Sequence, residues 1–400
     1  MKTTKILLLI GCCCLMAVAC GPKIPAAYTD SDALPRIYPD YREVTIPVNI
    51  APLTFELDEE ADEMVARYKV GDQEIVCADK MQPDMDDWRS MIDKAKGGAI
   101  SVDVYLRRGE QWTHCKPFNI YVSPDSIDSY LSYRLIPPSF VSYEALTISQ
   151  RCLENYDESV IYDNMLCGFE KEGQCINCHH YQQYNPERMQ FHARQKSGDT
   201  VIAYDGKLKK VNMKNDSILS AGVYPAWHPW LNLIVYSTDK THQNFHTTHS
   251  DKIEVYDAAS DIIAYDVEKG EVTNFHIWHH DADLWMMDLQ TGACGPMNEV
   301  NSNDTESYHT WSSNGRWLVV SSRRDDGTFT RPFFAHIDKD GKCSKPFELP
   351  QADPDYHRQF LRCYNIPEFM KGPVTISPQT FADLLKGEGE PVKYVGKLSK

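Results

Sequence analysis

The sequence predicts a mainly β protein of two or three domains. Three observations support this prediction. Over residues 41–124, polar and apolar residues alternate within short segments, as they do in strands. From about residue 200, turn-forming residues recur at intervals of about ten residues. A tryptophan, a polar turn and an apolar strand also occur together twice. Four hundred residues with 42 % hydrophobic composition provide enough apolar side chains for large cores.

Residues 1–20 have the composition of an export signal. Lys2 and Lys5 precede an apolar stretch, and small residues lead to Cys20. This order predicts a lipoprotein signal with Cys20 as the lipidated N-terminus. Cys12 is the alternative, but it would leave a very short apolar region. Residues 21–40, rich in Pro, Ala and Asp, are predicted to be a linker.

Residues 41–124 are predicted to form a β-sandwich-like domain with one helix over Asp84–Ala95, where Trp88, Met91 and Ile92 recur at helical spacing. No catalytic set is visible in this domain, so we expect it to be a spacer or docking module. Residues 125–196 are predicted to be a helical segment. The helices are expected over Ser126–Arg134 and Phe140–Tyr156.

Residues 197–400 contain the repeated sequence. Tyr224–Pro229 and Tyr308–Arg316 each include a tryptophan and precede an apolar strand that ends in serine. Ile262–Gly270 and Leu284–Gly292 also resemble each other, as strands followed by Asp-x-x-x-Gly turns. This pattern is typical of WD-type β-propeller blades, and about 200 residues would hold four or five blades of ~40–45 residues.

Cys175-Ile-Asn-Cys178-His179 is the spacing that attaches a c-type haem. Each thiol adds to one vinyl group of the porphyrin, and the histidine ligates the iron. The sequence therefore predicts one covalent haem c in the helical segment. Two alternatives remain open. A zinc site would lack a nearby fourth ligand, and a redox disulfide would lack a thioredoxin-like context.

The sixth iron ligand would decide the chemistry of the haem. His192 is the first choice because it lies thirteen residues beyond His179, and Met189 and Met165 are the alternatives. An ordinary surface role for His192 stays open. Arg151, Arg188 and Arg194 are candidate partners of the haem propionates, and each is equally consistent with an exposed position.

Nine cysteines follow Cys20, and seven remain after the haem pair, so at least one is expected to be free or paired with another chain. Cys77–Cys115 and Cys152–Cys167 are candidate disulfides because each pair lies within one segment. The histidines also cluster, and a second metal site is the less favoured interpretation of two groups: His242, His246 and His249, and His276, His279 and His280.

Residues from about Tyr130 to Lys400 resemble the TolB-like β-propeller lipoproteins of anaerobic Gram-negative bacteria that carry a single c-type haem motif. The resemblance is carried by the haem motif together with four further segments: Gln150-Arg151, Met189–Arg194, Trp227–Pro229 and Ile253–Asp257. It implies a haem-bearing protein of the cell envelope. It implies no particular reaction, because a propeller fold serves many functions.

The function predicted from the sequence is a lipid-anchored monohaem cytochrome that transfers electrons, with the propeller as scaffold and partner-binding surface. The alternative is a protein-binding or sensor module in which the haem is structural or binds a gas. A further hypothesis is an oxidoreductase, which would need an open coordination position on the iron. We expect an outer-membrane lipoprotein on the periplasmic side with an envelope or redox protein as partner. A net charge of −16 argues against binding to nucleic acid.

Overall fold

The computed structural model describes residues 21–397 apart from 79, 138–145, 168–173, 196, 215, 217, 246–252, 276–283, 288–293 and 303–305. Within the described residues the protein is mainly β, with 47 % strand and 9 % helix. No helix in the described part of the chain is long and apolar enough to cross a membrane.

The N-terminal unit is a seven-stranded sheet, a two-stranded ribbon and one helix. The helix, α1 (Met85–Lys94), begins where the Asp84 side chain accepts hydrogen bonds from the backbone of Asp86 and Asp87. Its buried residues are Trp88, Met91 and Ile92, as predicted. The strands are Thr29–Asp30 (β1), Ile37–Tyr38 (β2), Thr45–Ile46 (β3), Glu56–Leu57 (β4), Glu63–Val70 (β5), Gln73–Ala78 (β6), Ala99–Arg108 (β7), Gln111–His114 (β8) and Phe118–Val122 (β9).

The predicted sandwich is not confirmed. Strands run in the order β1-β8-β7-β5-β6, with β9 pairing the first half of β7 and β3 pairing β9. Only the β2–β4 ribbon stands outside this sheet within the described N-terminal residues. The apolar face of the sheet packs instead on α1 and on the following sheets, because one core joins Phe55 and Trp88 to Trp317 and Phe369. The unit therefore shares one core with the following sheets, and its role as a spacer or docking module stays a prediction.

Residues from Tyr130 onward form a propeller-like arrangement of four sheets. The first twelve strands are Tyr130–Ile136 (β10), Thr147–Cys152 (β11), Glu158–Asp163 (β12), Ile176–Tyr181 (β13), Met189–Ala193 (β14), Asp199–Tyr204 (β15), Lys207–Asn212 (β16), Val223–Trp227 (β17), Leu233–Phe245 (β18), Ile253–Asp266 (β19), Glu271–Phe275 (β20) and Trp285–Met287 (β21). The remaining strands are Cys294–Pro296 (β22), Glu306–Trp311 (β23), Trp317–Ser322 (β24), Arg331–His336 (β25), Phe347–Glu348 (β26), Cys363–Met370 (β27), Glu390–Pro391 (β28) and Lys393–Lys397 (β29).

We number the four sheets in chain order. The first sheet is β27-β10-β11-β12, the second is β13–β16 with β28 at its edge, the third is β17–β20 with β29, and the fourth is β23–β26. A two-stranded sheet, β21–β22, lies between the third and fourth sheets in the sequence. The strands β13, β17, β23 and β27 are innermost, and β13 packs against β17 and β27 while β27 packs against β23. These four strands face a common central region, which we call the axis.

Two short helices complete the last part of the chain. The first, α2 (Tyr356–Gln359), precedes β27, and the second, α3 (Pro378–Lys386), follows it. The Ser377 side chain caps α3, and its residues Phe381, Ala382 and Leu385 are buried between the first and second sheets.

The predicted helical segment is wrong. Its residues form β10, β11 and β12 of the first sheet and β13 and β14 of the second sheet. All six residues of β11 are buried, so neither face of this strand shows the polar alternation that identifies a half-exposed strand. The propeller-like arrangement consequently begins near residue 130 rather than at 197. The Cys-x-x-Cys-His segment therefore lies inside it.

Both candidate disulfides are also wrong, since all nine described cysteines are free. Cys77 lies on β6 and Cys115 follows β8, so β5 and β7 separate them by roughly 14 Å at normal strand spacing, too far for a disulfide. Cys152 ends β11, whereas Cys167 lies beyond the other end of the β11–β12 pair. Closeness in sequence does not bring either pair of sulfurs together.

Candidate functional site at the propeller axis

The four innermost strands share one irregularity. Each contains a residue with a left-handed backbone: Cys178 at φ 56°, Tyr224 at 48°, Tyr308 at 48° and Ile366 at 51°. The pairing register with the neighbouring strand shifts at the same point in every sheet. A bulge of this kind bends a strand and redirects its side chains. The four bulges therefore mark equivalent positions around the axis.

This equivalence shows what the Cys-x-x-Cys-His segment is within the fold. Cys178 occupies the position of Tyr224 and Tyr308, the first residues of the two repeats that the sequence displays. Three residues later each innermost strand has an aromatic side chain directed into a core: Tyr181, Trp227, Trp311 and Phe369. The Cys-x-x-Cys-His segment is thus the second sheet's version of the repeated inner strand.

The two thiols of the motif lie among cationic side chains. Burial raises the pKa of Cys175 and that of Cys178, and the positive charges of Arg134 and Arg194 oppose the increase at both. The backbone N–H of Tyr224 also points at the Cys178 thiol. Both cysteines are reduced and almost inaccessible. They are therefore unreactive toward solvent in the folded chain.

Sequence reasoning missed Arg134. It lies on β10, is almost fully buried, and donates from Nη1 to the backbone oxygen of Ile176 at 2.9 Å. Burial lowers the pKa of Arg134, and the nearby Tyr308 and Cys178 offset the effect. A cation in an otherwise apolar strand, Tyr-Leu-Ser-Tyr-Arg-Leu-Ile, was the available signal, because a buried arginine requires a specific partner.

His179 is enclosed between the second and first sheets. Neither ring nitrogen has a hydrogen-bond partner of normal geometry, although the backbone of Ile366 and Ser132 lies against the ring. Burial, reinforced by the charge of Arg134, lowers the pKa of His179 to about 3. The imidazole is therefore neutral at physiological pH, the form that ligates metals. A buried side chain with both polar atoms unpaired normally has a ligand, an ion or water beside it.

These residues can be tested against the haem that the motif implies. The donor set fits, since two reduced thiols at the required spacing precede a neutral imidazole with free nitrogens. Arg134 and Arg194 supply cations that could pair with propionate groups. The three motif side chains are only 9 %, 2 % and 1 % exposed, so the folded chain does not admit a haem from solvent.

The candidate sixth ligands are not brought opposite His179. His192 lies on the other face of the second sheet, where Nδ1 pairs with Thr200 Oγ1 at 3.1 Å and the ring faces the third sheet. Met189 pairs with Tyr181 on the adjacent strand and therefore lies beside His179 rather than across from it. Met165 lies in a partly exposed 3-10 turn that follows β12.

Only one of the three predicted arginines lies at the motif. Arg194 is there, and its backbone N–H donates to the Cys175 oxygen at 2.8 Å. Arg151 is bound to Gln351 Oε1 and the Pro350 oxygen, both at 2.8 Å. Arg188 pairs with Asp205 through two nitrogens at 2.8 Å. The latter two guanidinium groups already have structural partners, so they are not free for a propionate.

The histidine clusters give no metal centre in the described part of the chain, where no group of three His, Cys, Asp or Glu side chains converges. Of the six histidines in the two clusters, only His242 lies in the described part of the chain. The other five, His246, His249, His276, His279 and His280, lie outside the described residues, as do Cys20 and the rest of the predicted export signal.

Fold and site together define a mainly β protein with a propeller-like body and a Cys-x-x-Cys-His segment on an innermost strand. No family model matches the sequence, and no curated protein matches it. Among solved structures, the chain is similar to an oligogalacturonate lyase in complex with manganese. That match has 13 % identity and a TM-score of 0.22, and it covers 52 % of this chain and 55 % of the lyase. The matched region thus spans about half of the lyase chain.

Proposed function

We propose that the chain is an exported, lipid-anchored c-type cytochrome with one haem, and that the propeller-like body is its scaffold and partner-binding surface. Cys175 and Cys178 would hold the haem covalently, and His179 would ligate the iron. The observation that carries this proposal is His179, a neutral, buried imidazole with both nitrogens unpaired, directly after two reduced thiols. The TolB-like resemblance of the repeats is part of the same proposal.

The chain's own residues have defined tasks in this proposal. The haem, when bound, supplies one-electron redox chemistry. Arg134 is held in place by the Ile176 oxygen and sets a positive charge against both thiols in a region of low dielectric. Arg194 adds a second cation at the same end of β13. The surrounding sheets keep water away from the imidazole, because His179 is 1 % exposed.

Burial determines when a haem could be attached. Cys178 is enclosed against the third sheet and His179 against the first sheet, so attachment must precede the packing of the second sheet on these neighbours. A chain that has folded without haem should therefore not accept one afterwards. This order agrees with an exported protein that meets the attachment machinery while still unfolded.

A haem stain after denaturing electrophoresis tests the proposal. The mature protein, made together with a cytochrome maturation system, should stain, and the Cys175→Ala/Cys178→Ala double variant should not. Cys343→Ala is the matched control, because Cys343 is a buried free cysteine in another core. Absence of stain, in cells where a reference c-type cytochrome does stain, rules out the covalent haem. A fatty-acid label that disappears in Cys20→Ala tests the proposed lipid anchor.

A second candidate is a sensor or binding module in which the haem binds a small molecule. The observation that favours it is the absence of His192, Met189 and Met165 from the far side of His179. An iron without a sixth ligand binds carbon monoxide when reduced. Carbon monoxide binding would favour this second candidate, and a six-coordinate spectrum without binding would favour electron transfer.

A further inference from the structure

A cleft of about 410 Å³ opens between the second and third sheets, beside the motif but not lined by it. Arg194 and Lys214 lie on its second-sheet side, and Tyr224 and Asp239 lie on its third-sheet side. His192 forms part of its floor. The function proposed above uses none of this space, and the volume is in the range of small-molecule sites.

Two cations in the cleft lack carboxylate partners. Within the described residues, neither Arg194 nor Lys214 has a carboxylate oxygen within 4.0 Å. Unpaired cations are unexpected in a chain of net charge −16, where acidic side chains are abundant. The charges of both act on His192, so the two cations converge on one part of the cleft.

The two carboxylates that line the cleft have partners of their own. Asp199 lies 3.7 Å from the buried amine of Lys210. Asp239 accepts a hydrogen bond from Ser237 Oγ at 2.8 Å. Neither carboxylate lies within 4.0 Å of Arg194 or Lys214, although the charge of Lys214 opposes the effect of burial, which raises the pKa of Asp199.

The remaining walls contain both polar and apolar residues, and Gln195, Ser220 and Thr241 are the polar ones. Ala193, Ala221 and Val223 line the cleft, and the Tyr224 side chain is 61 % exposed there. A bare ion would leave the Tyr224 ring and Val223 uncovered, whereas an organic anion would cover them.

We infer that this cleft binds an organic carboxylate, with its charge at Arg194 and Lys214 and its planar or apolar body against Tyr224. Guanidinium and carboxylate groups form paired, charge-assisted hydrogen bonds, which the amine of a lysine reinforces. The inference does not rest on haem attachment. The carboxylate has two possible sources, a free small molecule or a propionate of a haem held by the adjacent thiols.

Calorimetric titration of the mature protein with benzoate, acetate and inorganic phosphate tests the inference. Benzoate should bind in a saturable manner and several-fold more tightly than acetate, because the Tyr224 ring contributes contact area. Arg194→Gln and Lys214→Gln should each weaken benzoate binding about tenfold or more. Lys207→Gln is the matched control, since Lys207 is exposed in the same sheet outside the cleft, and it should leave binding unchanged.

The Cys175→Ala/Cys178→Ala double variant separates the two sources. Equal benzoate binding by the wild type and the double variant indicates a free ligand, whereas binding by the double variant alone indicates that propionates fill the cleft. The inference is overturned if a folded double variant shows no saturable binding, or if phosphate binds as tightly as benzoate. A wild type that lacks haem but binds benzoate refutes the haem proposal and supports this inference.

Discussion

Gly222 shows how closely the second and third sheets are fitted at the level of single residues. It precedes β17, and a Cβ at this position would lie 2.7 and 2.8 Å from Cβ and Cγ of Tyr236. The Tyr236 ring is itself buried, and its hydroxyl donates to Gln190 Oε1 at 3.4 Å in the second sheet. The ring therefore has little room to move.

Gly222→Ala should destabilise the protein by roughly 1–3 kcal/mol, the usual cost of adding volume to a packed core. The measurement is the free energy of unfolding in urea. Gly295→Ala is the control, because no heavy atom lies within 4 Å of a Cβ there. Equal effects of the two substitutions would contradict the proposed contact.

His192 makes stability depend on pH. Burial, followed by the charges of Arg194 and Lys214, lowers the pKa of His192 to about 3 from 6.5. Between these two values the unfolded ring is protonated and the folded ring is not, so the unfolded state binds more protons. The free energy of unfolding therefore decreases as the pH falls from about 6.5 toward 3, by ~1.4 kcal/mol per unit for this group.

His192→Gln should remove this contribution, which amounts to about 2 kcal/mol between pH 6.5 and 5. Urea unfolding at several pH values would show a shallower dependence than in the wild type. His242→Gln, at an exposed position on β18, should retain the wild-type dependence. An unchanged slope in His192→Gln would show that the ring is not neutral in the folded state.

At the level of elements, the closing strand β27 determines whether the propeller-like body forms. It pairs with β10 from Tyr130↔Met370 to Ile136↔Cys363, so a strand near the C-terminus completes the first sheet. It also packs against β23 and β13. The strands β28 and β29, in contrast, only extend the outer edges of the second and third sheets.

A chain that ends at Leu361 should therefore fail to fold, because it lacks β27 and the buried face of α3. A chain that ends at Glu388 loses only β28 and β29 and should stay folded with a modest loss of stability. Circular dichroism and size-exclusion chromatography distinguish the two outcomes. A soluble, cooperatively folded chain ending at Leu361 would show that β27 is dispensable.

At the level of the whole molecule, one core joins the N-terminal unit to the first and fourth sheets. Phe55 and Trp88 belong to the same apolar cluster as Trp317, Phe334 and Phe369. Polar contacts add to this interface, including Ser313 Oγ to Asp128 at 2.6 Å and Thr54 Oγ1 to the Gln351 oxygen at 2.5 Å. The N-terminal unit and the first and fourth sheets should therefore unfold together.

Calorimetry should show a single two-state transition. Trp88→Ala, which removes a fully buried indole, should destabilise the protein by about 3–5 kcal/mol. It should also increase hydrogen exchange in β24, although Trp88 lies in α1. Two unfolding transitions, only one of which shifts in temperature on substitution, would mean that the N-terminal unit and the propeller-like body unfold independently.

Elements with strong local signals were predictable from the sequence. Helix α1 agrees with the predicted Asp84–Ala95 to within one residue, and residues 41–124 contain strands as expected, because alternation and helical spacing are local properties. The two repeats were also found, and both became innermost strands with the same bulge. Strands β10 and β11 were mistaken for helices, because burial of nearly all their residues removes the period-two signal.

The site was only partly predictable for a related reason. Cys175, Cys178 and His179 form a contiguous motif, whereas Arg134 reaches them from another sheet. His192 looked suitable by its distance along the chain, but strand pleating places it on the opposite face from His179.

The sequence by itself determined the mainly β class, the repeated inner strand and the Cys-x-x-Cys-His motif, since each depends on residues close together in the chain. Tertiary structure alone decided that the motif lies on an innermost strand at the axis, that Arg134 and Arg194 flank its thiols, and that its histidine is enclosed without a partner. The physical reason is that these properties depend on pairing between strands far apart in sequence and on the face to which each side chain points.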